Sequence, residues 1–243
     1  MGVQIKEKIR EKYGRVAVLN ESCCAPGDCG CGTPRQAAEM VGYDAKELAG
    51  VPEGSVLGVG CGAPLNFAGL KEGETVVDLG SGAGIDIFLA SKTIGKTGRA
   101  IGIDMTDEML SRARKNAAGY DNVEFRKGDI EERIPVDDGT ADAVISNCVI
   151  NLTTDKVRAF SEVRRILKKG GRMVISDLVT DSEAKSVDAE KWCSCIDGAL
   201  TLENYLASIK KAGFSDVSVL QEQPYMQEGD GRKITSVVVR AVK

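Results

Sequence analysis

The stretch TVVDLGSGAGIDIF, residues 75–88, decides the fold. A short apolar run, Thr75–Leu79, leads into glycines at 80, 82 and 84, and Ile85–Thr93 then reads as a helix. Arg99–Asp104 predicts a second strand, and Thr106 is suited to cap a helix reaching about Ala118, with Asp107 and Glu108 in its first turn. Further strands are expected over Val123–Arg126, Ala141–Ser146 and Arg172–Ser176. A helix over Lys156–Lys168 is closed by Gly170-Gly171, and another runs from Thr201 to about Lys211. Two last strands follow at Val217–Leu220 and Ile234–Val239. Strands that alternate with helices of about 10–15 residues imply βαβ units. The expected class is therefore α/β, with a doubly wound, mostly parallel sheet covered on both faces.

Outward from this core the chain changes character. Residues 1–70 form an N-terminal Cys/Gly-rich segment, 71–180 the ligand-binding core, and 181–243 a C-terminal cap with the last strands of the sheet. The start is charged and helical in pattern, SCCAPGDCGCGTP (22–34) follows, Gln36–Leu48 reads as one helix, and Val51–Pro64 is a Gly-rich loop. No apolar run approaches the roughly 18 residues of a membrane span, and Met1–Lys12 lacks the apolar stretch of an export signal. A cytoplasmic enzyme is expected. A formal charge of −4 with the signs mixed leaves no basic stripe for nucleic acid, so the expected partner is a small molecule.

The glycines let the backbone turn sharply and let a ligand approach without a Cβ in the way. Asp104 falls 20 residues after Gly84, where an acid can accept hydrogen bonds from a ribose diol. The dinucleotide fingerprint requires Gly or Ala at position 85, where Ile85 stands. That favours a compact nucleoside over a pyrophosphate, and Asp78 at the strand's end suits a positively charged amino-acid moiety. VDLGSGAG (77–84), GIDM (102–105) and GDI (128–130) resemble the cofactor motifs of the class I S-adenosylmethionine-dependent methyltransferases. The resemblance implies S-adenosylmethionine as cofactor, with Asp104 on the ribose and Met105, Asp129 and Ile130 around the adenine. Asp78, Gly80, Ser81, Gly82, Gly84 and Asn147 complete the expected cofactor residues.

Eight cysteines and no histidine are the unusual counts. In a reducing compartment they point towards soft-metal binding or redox chemistry more than a disulfide framework. Cys148 follows the fourth strand's carboxyl end, the edge that faces the ligand crevice in an open α/β sheet. Cys61 lies on the Gly-rich segment before the core, and Cys195 follows the fifth strand, where a cap is expected. Thiols from three separate segments can meet there. Each could instead be a small buried hydrophobe. Cys23, Cys24, Cys29 and Cys31 could hold zinc, although adjacent cysteines and a Cys-x-Cys fit tetrahedral geometry poorly.

GVGCGAP (58–64), SNCVINL (146–152) and SCIDGAL (194–200), with the cysteine cluster after Tyr13-Gly14, resemble the arsenite methyltransferases over essentially the whole chain. The resemblance implies that Cys61, Cys148 and Cys195 bind trivalent arsenic, supplied as arsenite or its thiol conjugates. It also implies that a fourth, N-terminal cysteine forms a transient disulfide reset by thioredoxin or a small thiol. Four cysteines compete for that role. Cys24 is favoured, with Cys23 close behind, because Cys29 and Cys31 could serve as an accessory arsenic-capturing pair.

A soft trivalent centre prefers thiolates, and its lone pair has no proton to lose. The missing histidine, otherwise the commonest general base, is consistent with such an acceptor. Two other readings stay open from the residues: methyl transfer to carbon or oxygen of a small organic acceptor, and a thiol metal-binding protein on the same fold.

Overall fold

The computed structural model describes residues 2–19 and 32–243. Cys23, Cys24, Cys29 and Cys31 lie outside the described residues. In chain order the elements are α1 (Gly2–Leu19), α2 (Pro34–Met40), α3 (Ala45–Ala49), α4 (Leu65–Ala68), β1 (Thr75–Leu79), α5 (Ile85–Ile94), β2 (Arg99–Asp104), α6 (Asp107–Asn116), β3 (Val123–Lys127) and β4 (Ala141–Asn147). They continue with α7 (Lys156–Ile166), β5 (Leu167–Thr180), α8 (Ala189–Cys193), α9 (Leu202–Lys211), β6 (Asp216–Gln227) and β7 (Lys233–Val242).

The strands form one seven-stranded sheet in the order β3-β2-β1-β4-β5-β7-β6. β1 to β5 are parallel, and β7 runs antiparallel to both β5 and β6. The doubly wound, mostly parallel architecture is as the sequence implied. Because the order reverses at β1, connections leave β1 and β4 in opposite directions, and a crevice opens beyond their carboxyl ends.

Two apolar layers cover the sheet. On one face Phe160 of α7 and Tyr205 of α9 meet edge to face at 5.6 Å, over Val77, Val144 and Ile175 of the sheet. On the other, Phe88 of α5 packs between Tyr120 and Phe125 at 4.7 and 5.9 Å. Leu48 and Leu110 join that second layer. Among the described residues no helix is long and apolar enough to cross a membrane.

Several expected boundaries move for physical reasons. The helix over Gln36–Leu48 is two helices, because Gly42 takes φ +110° and Asp44 starts α3 by accepting hydrogen bonds from Lys46 N and Glu47 N. α7 stops at Ile166, not at the glycines. Leu167 is already extended and pairs with Ala141, and the next paired residue, Arg172, meets Ala143. Gly170-Gly171 therefore lies in a bulge. Thr106 precedes α6 but makes no side-chain cap bond; its N–H instead donates to Asp104 Oδ1. β6 and β7 are longer than expected because the polar run Gln221–Gln223 pairs with β7 on an exposed outer strand, where alternation of apolar residues is not required.

Gly84 begins α5 with φ +98°, and a Cβ there would lie 2.7 Å from Phe88 and 2.8 Å from Phe125. Gly84→Ala should therefore cost about 1–3 kcal/mol, the usual range for a strained backbone position. Urea unfolding measures this, and an unchanged midpoint would contradict the packing role.

Candidate active site

The crevice is built from the sheet's carboxyl edge upward. Gly80 (φ +66°) turns the chain out of β1, and a Cβ there would stand 2.4 Å from a Val149 methyl. Asp104 ends β2 and pins the turn, since its Oδ2 accepts from Gly82 N at 2.9 Å and its Oδ1 from Thr106 N at 2.8 Å. Gly80, Gly82, Asp104, Met105, Asp129, Ile130, Asn147 and Cys148 all line one crevice. Three expected cofactor residues do not line it. Asp78 is buried at the end of β1, Ser81 turns its hydroxyl into the protein, and Gly84 packs against aromatic rings.

Helix α1 closes the crevice with residues that the sequence reading did not assign. Lys6 bonds Asp129 at 2.7 Å and Glu131 at 2.9 Å, while Ile9 and Tyr13 line the opening. The four-residue spacing of Ile5, Ile9 and Tyr13 in the sequence marks this face.

Two acids lie buried close to the β1 end, Asp78 and Asp86. Burial pushes the Asp78 carboxyl well up, and the charges of Asp86 and Asp104 push it further. No hydrogen bond from a described residue reaches its side chain. Burial also raises Asp86 to about 6, although Tyr43 donates its hydroxyl at 2.8 and 2.9 Å. The crevice itself is lined by Asp104, Asp129 and Glu131, which fits a ligand that brings positive charge. Lys6 is the one basic side chain among the described lining residues, and it is already paired, so the loop does not fit a pyrophosphate.

Three thiols meet beside the crevice. Cys61 is held by its own backbone: its N–H donates to Asn147 Oδ1 at 3.0 Å, and its carbonyl accepts from Ser236 at 2.7 Å. Glycine is required on either side, because a Cβ on Gly60 would meet Asn147 at 2.6 Å and one on Gly62 would meet Ser176 at 2.1 Å. Cys148 and Cys195 are the only non-glycine residues described with positive φ, at 59° and 65°. Cys195 Sγ donates to the Cys148 carbonyl at 3.0 Å. Hydrogen bonding with the Cys195 and Cys61 sulfurs raises the Cys148 pKa well above the ordinary thiol value, and burial adds to it. The bond with Cys148 favours the Cys195 thiolate, but burial and the Asp177 charge outweigh it and leave that pKa raised. Only Cys148 of the three also lines the crevice, which makes it the junction between the two sites.

Under the thiols lies a polar group that the sequence reading missed. Asp177 accepts from Leu178 N at 3.0 Å, Asn151 N at 3.1 Å and the Tyr205 hydroxyl at 3.2 Å. Burial raises its carboxyl to about 7, partly offset by the Lys156 ammonium. Its place near the carboxyl end of a parallel strand was the available signal.

A methyltransferase-domain family model matches residues 70–228. The solved arsenic(III) S-adenosylmethionine methyltransferase of Chlamydomonas reinhardtii superposes with a TM-score of 0.69 at 32% identity, covering 86% of this chain and 73% of that one. The chain belongs to the arsenic(III) S-adenosylmethionine methyltransferase family. An arsenite methyltransferase of Halobacterium salinarum is 43% identical over 230 residues, covering 89% of this chain and 59% of the relative. One from Aquipseudomonas alcaligenes is 34% identical, covering 90% and 64%. The chain thus spans about three-fifths of the length of these curated relatives. The family motifs fall at the β1 turn, the end of β2 and the β4 end, where the crevice and thiols meet.

Because the folded Asp86 carboxyl is raised, the native state keeps its proton to higher pH than the unfolded chain. Its contribution is favourable below about pH 4 and is lost as pH rises towards about 6. Asp86→Asn should remove a fall in unfolding free energy on the order of 3 kcal/mol across that window. Denaturation at stepped pH, compared with the parent protein, reads the difference; parallel curves would reject the assignment.

Proposed function

We propose that this protein transfers the methyl group of S-adenosylmethionine to trivalent arsenic held by Cys61, Cys148 and Cys195. The observation that carries this reading is the meeting of three thiols from three segments, one of them opening into the crevice at the β1 turn. The chemistry of the crevice fits the cofactor: glycines where the chain turns, an acid at the end of β2, an apolar Met105 and Ile130, and lining carboxyls from Asp129 and Glu131 for the positive charges. When bound, S-adenosylmethionine supplies an electrophilic methyl on a sulfonium.

The chain's own residues do the rest. Asp104 receives the ribose hydroxyls, and Met105 and Ile130 flank the base beside Asp129. Three thiols exchange with the three hydroxyls of arsenite, each thiol proton leaving with a hydroxide as water. The product is a neutral, pyramidal centre, and Cys148 sets its lone pair towards the crevice. Rate enhancement then comes mainly from proximity and alignment. No base is needed, because the attacking atom carries no proton. Methylation formally oxidises arsenic by two electrons. A dithiol that becomes a disulfide returns them. We assign Cys61 and Cys24 to that pair, with an external thiol reductant restoring them. A cycle that depends on an external thiol reductant supports a cytoplasmic location.

Incubation with arsenite, S-adenosylmethionine and a thiol reductant, followed by arsenic speciation, tests the whole reading. Methylated arsenic is expected. Transfer to a small quinone-type acceptor instead, with none to arsenite, would overturn it.

Asp104→Asn should weaken S-adenosylmethionine binding roughly 10- to 100-fold, since a hydrogen bond to a charged group is worth about 1.5–3 kcal/mol. Calorimetry with unchanged affinity would remove Asp104 from the site. Cys148→Ser and Cys195→Ser should each abolish methylation while retaining cofactor binding, because a hydroxyl cannot replace a thiolate on a soft centre. Cys24→Ser should bind arsenite yet stop at or before one turnover. Mass spectrometry of enzyme quenched during turnover decides this last point: the Cys24–Cys61 link is expected, and its absence removes Cys24 from the cycle.

A further inference from the structure

Asp177 has no part in the chemistry above. Three thiols satisfy trivalent arsenic, yet a fully buried carboxylate stands against two of them. The sulfurs of Cys61 and Cys148 and a carboxylate oxygen of Asp177 all lie within 4.8 Å of one another. The carboxylate is fixed by the three donors from Leu178, Asn151 and Tyr205, and the Lys156 ammonium is close enough to stabilise its charge. Lys156 is itself buried and sits 5.7 Å from the Trp192 ring centre.

Two soft donors and one hard donor suit a different ion from the arsenic centre. A four-coordinate divalent cation of the zinc type takes sulfur at about 2.3 Å and oxygen at about 2.0–2.2 Å. Donors around such an ion stand about 3.5 Å apart, so the triangle closes with shifts of about 1 Å. Rotation of the Cys61 and Cys148 side chains about their Cα–Cβ bonds supplies such shifts while the backbone bonds that hold both residues stay in place.

Charge also balances. Two thiolates and one carboxylate carry three negative charges, and the cation with Lys156 supplies three positive. Cys195 stays a neutral thiol bonded to the Cys148 carbonyl, and water fills the fourth position.

We propose that Cys61, Cys148 and Asp177 form a binding site for a thiophilic divalent cation, zinc or cadmium, which excludes arsenic from the same thiols. On binding, Cys61 and Cys148 each release one proton to solvent, and no electrons move. The inference rests on the arsenic reading only for the competition, since the cation site depends on its own donor set.

The test uses the reduced full chain, freed of metal with a chelator and titrated with zinc chloride alone. Equilibrium dialysis should show one ion per chain that Cys148→Ser loses and that Asp177→Asn binds at least tenfold more weakly. The N-terminal cysteines can hold zinc too, so a signature independent of any variant is needed. Cadmium-113 resonance of the parent protein should give one signal in the mixed sulfur–oxygen range, apart from any all-sulfur signal. One equivalent of arsenite should abolish that signal.

Equal zinc binding by the parent and both variants overturns the site, as does an all-sulfur signal alone. If arsenite neither binds nor displaces the ion while the mixed signal persists, the cation site stands and the arsenic reading falls. If arsenite binds but no mixed signal exists, the cation site falls and the arsenic reading stands.

Discussion

Asn147 is the side chain through which the two halves of the site are joined. Its Oδ1 accepts the Cys61 N–H at 3.0 Å, while its Nδ2 donates to the Gly62 carbonyl at 2.6 Å and the Tyr43 hydroxyl at 2.9 Å. Tyr43 in turn donates to Asp86 at the start of α5. One amide at the end of β4 therefore ties the Gly-rich segment, the buried Asp86 and the crevice into a single network. Its neighbour Cys148 belongs to both the crevice and the thiol group. Because the amide, hydroxyl and carboxylate in this chain are largely buried, each is costly to leave unpaired, and the arrangement resists piecemeal change.

Around this junction the protein stores strain and unfavourable charge. Left-handed backbone at Cys148 and Cys195 costs about 1–3 kcal/mol per residue, and it persists because neighbouring bonds fix it. The Cys148 N–H donates to the Ser176 carbonyl, and the Cys195 N–H to that of Trp192. Asp78, Asp86, Asp104 and Asp177 all have raised carboxyl pKa values through burial. Of these, Asp104 lines the crevice, and the charges of Asp86 and Asp104 both act on the buried Asp78. The fourth lies under the thiols, with Lys156 opposing it.

The segments outside the sheet core supply the walls that the sheet lacks. α1 crosses the crevice through Lys6, Ile9 and Tyr13, and it reaches the cap through Lys12, which bonds Ser194 at 2.7 Å. The cap is in turn fixed from the far edge of the sheet, where Arg232 bonds Asp197 at 2.7 Å two residues beyond Cys195. Ion pairs this buried cost desolvation and are weak contributors to net stability, so orienting Cys195 is their clearer consequence.

The sequence by itself determined the α/β class, the order of strands and helices through the core, the crevice at the β1 turn and β2 end, and the three thiols of interest. Those features rest on local patterns: apolar periodicity, glycines where backbone must turn, acids at strand ends. It also made Cys148 legible, because the carboxyl edge of a parallel strand faces the crevice. Only the tertiary structure decided that Gly84 serves packing, that Asp78 and Ser81 stand behind the crevice wall, and that α1 closes it. Only there did Asp177, 29 residues after Cys148 and 116 after Cys61, come to lie against both. The left-handed cysteines and the Asn147 network were likewise beyond reach. The physical reason is common to all of these: periodicity and capping act over a few residues, whereas contact between distant segments depends on how the sheet packs them and on which buried polar groups find partners.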